Sequence, residues 1–251
     1  MLSKSLIKLI HSLEMKKFRK EHNLFVAEGE KLVKDLLMSG VECEKIIATE
    51  QFGNWNKEFK IKEFITVNDE ELKKASFLRA PQGIIGIFKQ RESQYDPTIA
   101  QKELCLALDD VQDPGNLGTR VRIADWFGIE HIFCSIGTVD IYNPKTIQAT
   151  MGALARVNIH YVNLPEFIAS QAKSVPVYGA FLSGKNIYEH KLSPNGIIVM
   201  GNEGNGIGAE CEKLIREKIL IPNYPIGRST SESLNVSTAT AIVCSEFRRR
   251  M

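Results

Sequence analysis

The sequence lacks several features that would assign it to a common class of proteins. No apolar run approaches the roughly 20 residues that a membrane-spanning helix needs. Lysines interrupt the apolar residues near the start of the chain, so these do not form the core of a signal peptide. The formal net charge is only +2 over 251 residues, which neither requires nor excludes a nucleic-acid partner. These absences favour a cytoplasmic protein.

Metal-binding patterns are also missing. The five histidines form neither an HxxxH nor an HExxH pattern, and no two of the five cysteines are close enough for a zinc-binding pair. The cysteines are Cys43, Cys105, Cys134, Cys211 and Cys244. Several of them lie within apolar runs, which favours buried, reduced thiols and no metal site.

The sequence contains neither of the two common nucleotide-binding fingerprints. GxxxxGK[ST] is absent, and the glycines from 201 to 208 follow the spacing GxxGxGxG, which differs from GxGxxG. A nucleotide-dependent oxidoreductase is therefore disfavoured.

The apolar pattern predicts two domains. Residues 1–90 are predicted to form a small α/β domain that begins with one amphipathic helix over residues 1–18. Residues 91–103 have no apolar period and read as a linker. From residue 104 to 251, strand and helix patterns alternate, which predicts an open, mostly parallel sheet with helices on both faces.

Three polar loops follow strands of the second predicted domain. They span residues 109–118, 201–208 and 222–235, and are rich in Gly, Asn, Pro or Ser. Because the carboxyl ends of parallel strands meet at one edge of a sheet, we expect the loops to converge on one crevice. On shape alone, each loop is equally consistent with an ordinary turn.

The three loops together resemble the three sequence motifs of the SpoU (TrmH) family of RNA ribose methyltransferases, within the SPOUT superfamily. The stretches that carry the resemblance are DPGNLGTRVRIADWFGI, IIVMGNEGNGI and IPNYPIGRSTSESLNVSTATAI. Their order and separation match the family from residue 104 to about 250. In addition, FRKEHNLFVAEGEKLVKDLL resembles the ribosomal-protein-like, substrate-binding domain that often precedes this fold.

This resemblance implies an activity and an architecture. The family transfers a methyl group from S-adenosylmethionine to a ribose 2′-hydroxyl of RNA, and works as a homodimer with the site near the subunit interface. Its C-terminal segment forms a deep trefoil knot, which no hydrophobic pattern could indicate. A separate N-terminal domain favours structured RNA as the substrate, with ribosomal RNA ahead of transfer RNA.

The resemblance also assigns candidate catalytic residues. The arginine of the first motif falls on Arg122, six residues after Asn116, and Asn116 supports it. Glu203 and Asn235 are the corresponding candidates in the second and third motifs. Arg120, the neighbouring arginine, is expected to form an ion pair on the helix surface.

Cofactor and RNA contacts follow from the same match. The candidate cofactor-binding residues are Met200, Gly201, Asn202, Gly204, Gly206, Ile221, Pro222, Ser233 and Leu234. The candidate RNA-binding residues are Lys16, Lys17, Arg19, Lys20 and Arg228. The loop Tyr224–Glu232 is longer than the family pattern, which weakens the match at Arg228 and Ser229.

Two alternatives stay open at this point. Arg122 either loses its proton and accepts the proton of the hydroxyl, or stays charged and clamps a phosphate while another group accepts the proton. The protein could also be a catalytically idle RNA-binding or ribosome-assembly factor that keeps the fold. The presence of Asn116, Arg122, Glu203 and Asn235 argues against an idle factor.

Overall fold

The computed structural model describes residues 2–225, 228 and 233–249. The α-helices are α1 Lys4–Ser12, α2 Lys16–His22, α3 Glu30–Met38, α4 Trp55–Glu58, α5 Asp69–Ala75, α6 Pro114–Trp126, α7 Pro144–Thr150, α8 Leu164–Ser170, α9 Ala209–Glu212 and α10 Val236–Arg249. The strands are β1 Leu24–Glu28, β2 Cys43–Ala48, β3 Ile61–Thr66, β4 Ile84–Lys89, β5 Leu104–Leu108, β6 His131–Ser135, β7 Asn158–Val162, β8 Val177–Asn186, β9 Gly196–Met200 and β10 Glu217–Leu220. Short 3₁₀ helices occur at Glu50–Phe52, Ile99–Gln101 and Ala153–Ala155.

The chain forms two compact units. The first contains Met1–Glu92 and Asp140–Arg156, and the second contains Ser93–Val139 and Val157–Met251. The chain thus returns to the first unit for one short segment, whereas the sequence pattern predicts two domains that are continuous in sequence. Residues 140–156 carry α7 and a 3₁₀ helix, and α7 packs against β1.

The first unit is built on a four-stranded mixed sheet with the order β1-β4-β2-β3. Helices α1 and α5 cover one face through a cluster that includes Leu6, Ile10 and Leu72. On the other face, the Phe25 ring stacks on Phe88 with the centroids 5.7 Å apart, and lies 4.8 Å from the Tyr142 ring. Both faces of the small sheet are therefore buried.

The start of the chain differs from the prediction of a single helix. It forms two helices, α1 and α2, and a buried arginine secures the break between them. Arg19 is 2% exposed, and its Nη1 donates to the carbonyls of Leu13 (2.9 Å) and Glu14 (2.7 Å). Its Nη2 donates to the Asp140 carboxylate at 2.6 Å. The side chain thus satisfies carbonyls that a continuous helix would have paired with its own amides.

The second unit contains a six-stranded sheet with the order β10-β8-β9-β5-β6-β7, and every adjacent pair of strands is parallel. Helices α8 and α9 pack on one face, where Phe133 stacks on Phe167. Helix α10 lies on the other face, with the Phe247 ring against Tyr178. The prediction of an α/β fold with a mostly parallel sheet is confirmed.

All five cysteines are buried and free, as predicted from the apolar runs around them. Across the described part of the chain, no helix is both long and apolar enough to cross a bilayer. Within the same residues, no three His, Cys, Asp or Glu side chains gather as metal ligands would.

A buried histidine pair links β6 and β7. His160 is 1% exposed, its Nδ1 shares a hydrogen bond with Ser93 Oγ (2.7 Å), and its Nε2 shares another with His131 Nδ1 (3.0 Å). Burial, helped by the neighbouring His131, lowers the pKa of His160 to about 4. The ring is then protonated more easily in the unfolded chain than in the folded protein. The neutral ring therefore stabilises the fold above the unfolded-state pKa of about 6.5, and this contribution is lost as the pH falls towards 4.

We therefore expect the free energy of unfolding to fall by about 2 kcal/mol between pH 7 and pH 5 because of His160 alone. Urea unfolding at both pH values measures the change. His160→Asn, which cannot titrate in this range, should lack this part of the pH dependence. His22→Gln, a change at an exposed histidine, should retain it. Equal pH dependence in the wild type and His160→Asn would contradict the assignment.

Candidate active site

The site begins at the N-terminus of α6, directly after β5. Asp113 caps the helix by accepting the Asn116 amide at Oδ1 (2.7 Å), and Pro114 occupies the first turn, where it displaces no helical hydrogen bond. This start places Asn116 in the first turn, where it is half-buried. Its Nδ2 donates to Glu203 Oε1 at 3.0 Å.

Glu203 lies in the loop after β9, the strand next to β5. The amide of Asn202 donates to the Gly206 carbonyl at 2.8 Å, which closes the loop into a tight turn. Asn202 also accepts the Gly204 amide at Oδ1 (2.8 Å) and donates to the Asp110 carbonyl (2.7 Å). Hydrogen bonds within the loop therefore order it, and one further hydrogen bond joins it to the loop after β5.

The third motif joins the other two through α10. Asn235 caps this helix by accepting the Ser237 amide at Oδ1 (2.9 Å). Ser237 Oγ donates to Asn116 Oδ1 at 3.2 Å. The side-chain amide of Asn116 therefore donates to the second motif and accepts from the third, and it brings the three motifs together.

A cavity of about 560 Å³ opens beside this junction. It is lined by Ala180–Ser183, Met200–Ile207, Glu212, Ile219–Ile221, Ser233, Leu234, Val236, Ala239 and Val243. The size is that of a small-molecule site. Buried apolar side chains (Met200, Ile219 and Val243) form part of its wall, and the polar residues of the Gly201–Gly206 loop form another part.

Every candidate cofactor-binding residue except Pro222 lines this cavity. The sequence motifs did not indicate the wall formed by residues 180–183 of β8. This strand extends beyond that wall to Asn186 and pairs with β10. The one sequence signal is Gly184, where a Cβ would lie 2.5 Å from the Ile219 carbonyl carbon, so the two strands approach closely there.

The two arginines of α6 lie on different faces of the helix. Arg122 is exposed, and at 100° per residue it is rotated by about 120° from the face that carries Asn116. Arg120 follows Asn116 by four residues and shares its face. Its side chain is fully buried, with Nη2 donating to the Gly201 carbonyl at 3.1 Å. The expectation of a surface ion pair at Arg120 is therefore wrong.

The buried guanidinium of Arg120 is incompletely paired. Among the described residues, its Nε and Nη1 have no hydrogen-bond partner. Burial lowers the pKa of Arg120 to about 10, although the nearby Glu203 carboxylate opposes the decrease. The site thus has a positive charge beneath its second loop, at a position that the family motif did not mark.

The candidate RNA-binding residues differ in accessibility. Lys16, Lys17 and Lys20 are exposed on α2, and Arg228 is exposed in the turn after β10. Arg19 is buried and bonded to Asp140, so the prediction that it contacts RNA is wrong. Ser229 lies outside the described residues.

Residues 103–245 match the model of the SpoU rRNA methylase family, and residues 4–86 match the MRM3-like substrate binding domain. The chain belongs to the SpoU rRNA methylase family. This match confirms the family predicted from the three motifs. It also confirms the prediction that the protein is an RNA methyltransferase.

Similar proteins cover the whole chain. The 23S rRNA (guanosine(2553)-2′-O)-methyltransferase RlmP of Bacillus subtilis is 31% identical over 94% of this chain and 93% of its own. An RNA methyltransferase of the TrmH family from Porphyromonas gingivalis matches all of both chains with a TM-score of 0.90 and 37% identity. The AdoMet-bound rRNA methyltransferase from Sinorhizobium meliloti matches 100% of this chain and 97% of its own, with a TM-score of 0.85 and 29% identity.

The close approach of Gly201 to Gly206 generates a prediction. A Cβ on Gly201 would lie 2.1 Å from the Gly206 carbonyl carbon, which no side-chain movement can relieve. We expect Gly201→Ala to lower the free energy of unfolding by about 3 kcal/mol, measured by urea denaturation.

Gly204→Ala is the matched control in the same loop. Its Cβ would meet nothing closer than Asn202 Oδ1 at 3.7 Å, so we expect a change within about 1 kcal/mol. Similar stabilities of the two variants would show that the tight turn is not required for the fold.

Proposed function

We propose that this protein transfers a methyl group from S-adenosylmethionine to a ribose 2′-hydroxyl of large-subunit ribosomal RNA. The observation that carries the proposal is the junction at Asn116, which joins the three family motifs beside a cavity of about 560 Å³. The similarity to RlmP over nearly the whole chain supports ribosomal RNA ahead of transfer RNA.

The cavity suits S-adenosylmethionine, which supplies an electrophilic methyl group when bound. Its apolar wall, with Met200, Ile219 and Val243, suits an adenine ring, and Ile221 and Leu234 extend this surface. The loop Gly201–Gly206 supplies polar groups for the remainder of the molecule. Pro222 follows Ile221 at the start of the third motif.

The residues around the cavity have distinct roles. Glu203 and Asn116 hold each other in place, and Asn235 orders the start of α10, which carries Ser237 to Asn116. Arg122 is exposed and free to contact a phosphate of the substrate, which orients the ribose. Lys16, Lys17, Lys20 and Arg228 contact the RNA backbone.

Methyl transfer can be measured directly. The purified protein is incubated with tritiated S-adenosylmethionine and ribosomal RNA from cells that lack the protein, and the RNA is hydrolysed with alkali. Alkaline cleavage uses the 2′-hydroxyl as the nucleophile, so ribose methylation blocks it. We expect the label in alkali-resistant dinucleotides of the large-subunit RNA.

Arg122→Lys serves as the variant in this assay, because lysine keeps the charge but cannot make a two-pronged contact with phosphate. We expect its rate to fall about 100-fold. A near-wild-type rate would exclude the phosphate clamp. Label in mononucleotides would indicate base methylation, and label in transfer RNA would change the substrate. Absence of both methyl transfer and cofactor binding by calorimetry would indicate an idle factor.

We also propose that the protein is a homodimer that associates through α6 and α10. These helices pack side by side, and Arg248 of α10 donates to the Phe127 carbonyl at the end of α6 (2.7 Å). Trp126 is 85% exposed on the outer face of α6, and Ile242 is half-buried on α10. A largely exposed tryptophan suits an interface with a second copy. Such an interface places Arg122, one turn before Trp126, next to the partner subunit.

Trp126→Glu should disrupt this dimer, because a carboxylate would be buried without a partner at the interface. Light scattering at about 10 μM should show a dimer for the wild type and a monomer for the variant. Met38→Glu, at a similarly exposed apolar residue on α3, should leave the mass unchanged. A dimeric Trp126→Glu variant, or a monomeric wild type, would exclude this interface.

We propose that the C-terminal segment forms a trefoil knot, which an experimental trace of residues 196–249 would test. We propose a cytoplasmic location, where ribosomal RNA is accessible, which cell fractionation would test.

A further inference from the structure

Among the arginines in the described residues, Arg120 is the one with buried side-chain nitrogens that lack a hydrogen-bond partner. The side chain is fully buried, and its Nη2 donates to the Gly201 carbonyl. Within the part of the chain that the structure describes, its Nε and Nη1 have no partner. Arg19, the other fully buried arginine, instead pairs with Asp140 and with two carbonyls. Burying a guanidinium with so few partners disfavours folding.

The hydrogen bond from Arg120 is made at the first residue of the Gly201–Gly206 loop. Gly201 is the first residue after β9, and its carbonyl shares a planar peptide unit with the amide of Asn202. That amide donates to the Gly206 carbonyl at 2.8 Å and closes the loop. Fixing the Gly201 oxygen therefore fixes the direction of the Asn202 N–H and the position of Gly206.

Helix α6 thus holds the loop at two consecutive turns. Asn116 holds the side chain of Glu203 at 3.0 Å, and Arg120, four residues later on the same face, holds the main chain of Gly201 at 3.1 Å. Arg120 also places a positive charge near the Glu203 carboxylate. Gly201 and Glu203 both line the cavity.

We propose that Arg120 is a positioning residue, which orders the Gly201–Gly206 loop for S-adenosylmethionine at the expense of folding stability. The proposal rests on the function proposed above for the cavity. It requires that removal of the guanidinium lowers cofactor affinity without lowering stability, whereas loss of a residue with a merely structural role would lower both.

Arg120→Met removes the charge and the donor but keeps most of the volume. We expect the thermal midpoint of the variant without cofactor to stay unchanged or rise. We expect amide hydrogen exchange at residues 202–207 to accelerate at least about tenfold, and the Kd for S-adenosylmethionine, measured by calorimetry, to rise about tenfold. In methyl transfer, the KM for the cofactor should rise more than kcat falls. Arg120→Lys, which keeps one donor within reach of Gly201, should recover part of the affinity.

Arg216→Met is the matched control. Arg216 belongs to the same unit and also holds main-chain carbonyls, including those of Ala172 (2.9 Å) and Lys173 (3.0 Å), but it does not line the cavity. Its loss should lower the thermal midpoint and leave cofactor affinity unchanged.

Three results would overturn the proposal. The first is a lower thermal midpoint in both Arg120→Met and Arg120→Lys, in parallel with the loss of affinity. The second is an unchanged Kd in Arg120→Met. The third is unchanged exchange at residues 202–207, which tests the role of Arg120 without cofactor. Failure of the wild type to bind S-adenosylmethionine would instead refute the proposed function, and the exchange measurement would still decide whether Arg120 orders the loop.

Discussion

The site depends on the two-sided hydrogen bonding of one amide side chain. Asn116 donates through Nδ2 to Glu203 and accepts at Oδ1 from Ser237, so a single residue of α6 orients both the loop after β9 and the start of α10. Neither a carboxylate nor an ammonium group could do both, because one only accepts and the other only donates. The sheet brings these loops close together, because β5 and β9 are parallel neighbours and the loops that follow them leave from the same edge.

Much of this arrangement could be predicted from the sequence. The alternation of strands and helices predicts a parallel sheet, and the rule for carboxyl ends of strands places the three loops together. The hydrogen bonds that join Asn116 to Glu203 and Ser237 show that the three motifs meet there. The wall formed by β8 could not be predicted, because its sequence carries no motif and its exposed end lacks the apolar pattern of a buried strand. The return of residues 140–156 to the first unit could not be predicted either, because hydrophobic periodicity does not say which sheet a helix covers.

The two buried arginines show a further limit of sequence reasoning. Arg19 stands in a run of basic residues and Arg120 stands two positions before the arginine of the family motif, so both patterns indicate exposed charges. Burial depends on which helix face meets the sheet. On α2, that face carries Arg19, and on α6 it carries Asn116 and Arg120. The first guanidinium is satisfied by Asp140 and two carbonyls, whereas the second has two nitrogens that no residue among 2–225, 228 and 233–249 pairs.

The discontinuous first unit has a consequence for biosynthesis. Residues 1–92 leave the ribosome well before residues 140–156, which supply Asp140 for Arg19 and the Tyr142 ring for Phe25. Until that segment is made, a nascent first unit holds a guanidinium without its carboxylate, and Phe25 lacks the Tyr142 ring. Its completion must therefore wait until residue 156 has been translated. By the same reasoning, a fragment that ends at residue 92 would lack α7 and the partners that Asp140 and Tyr142 provide for Arg19 and Phe25.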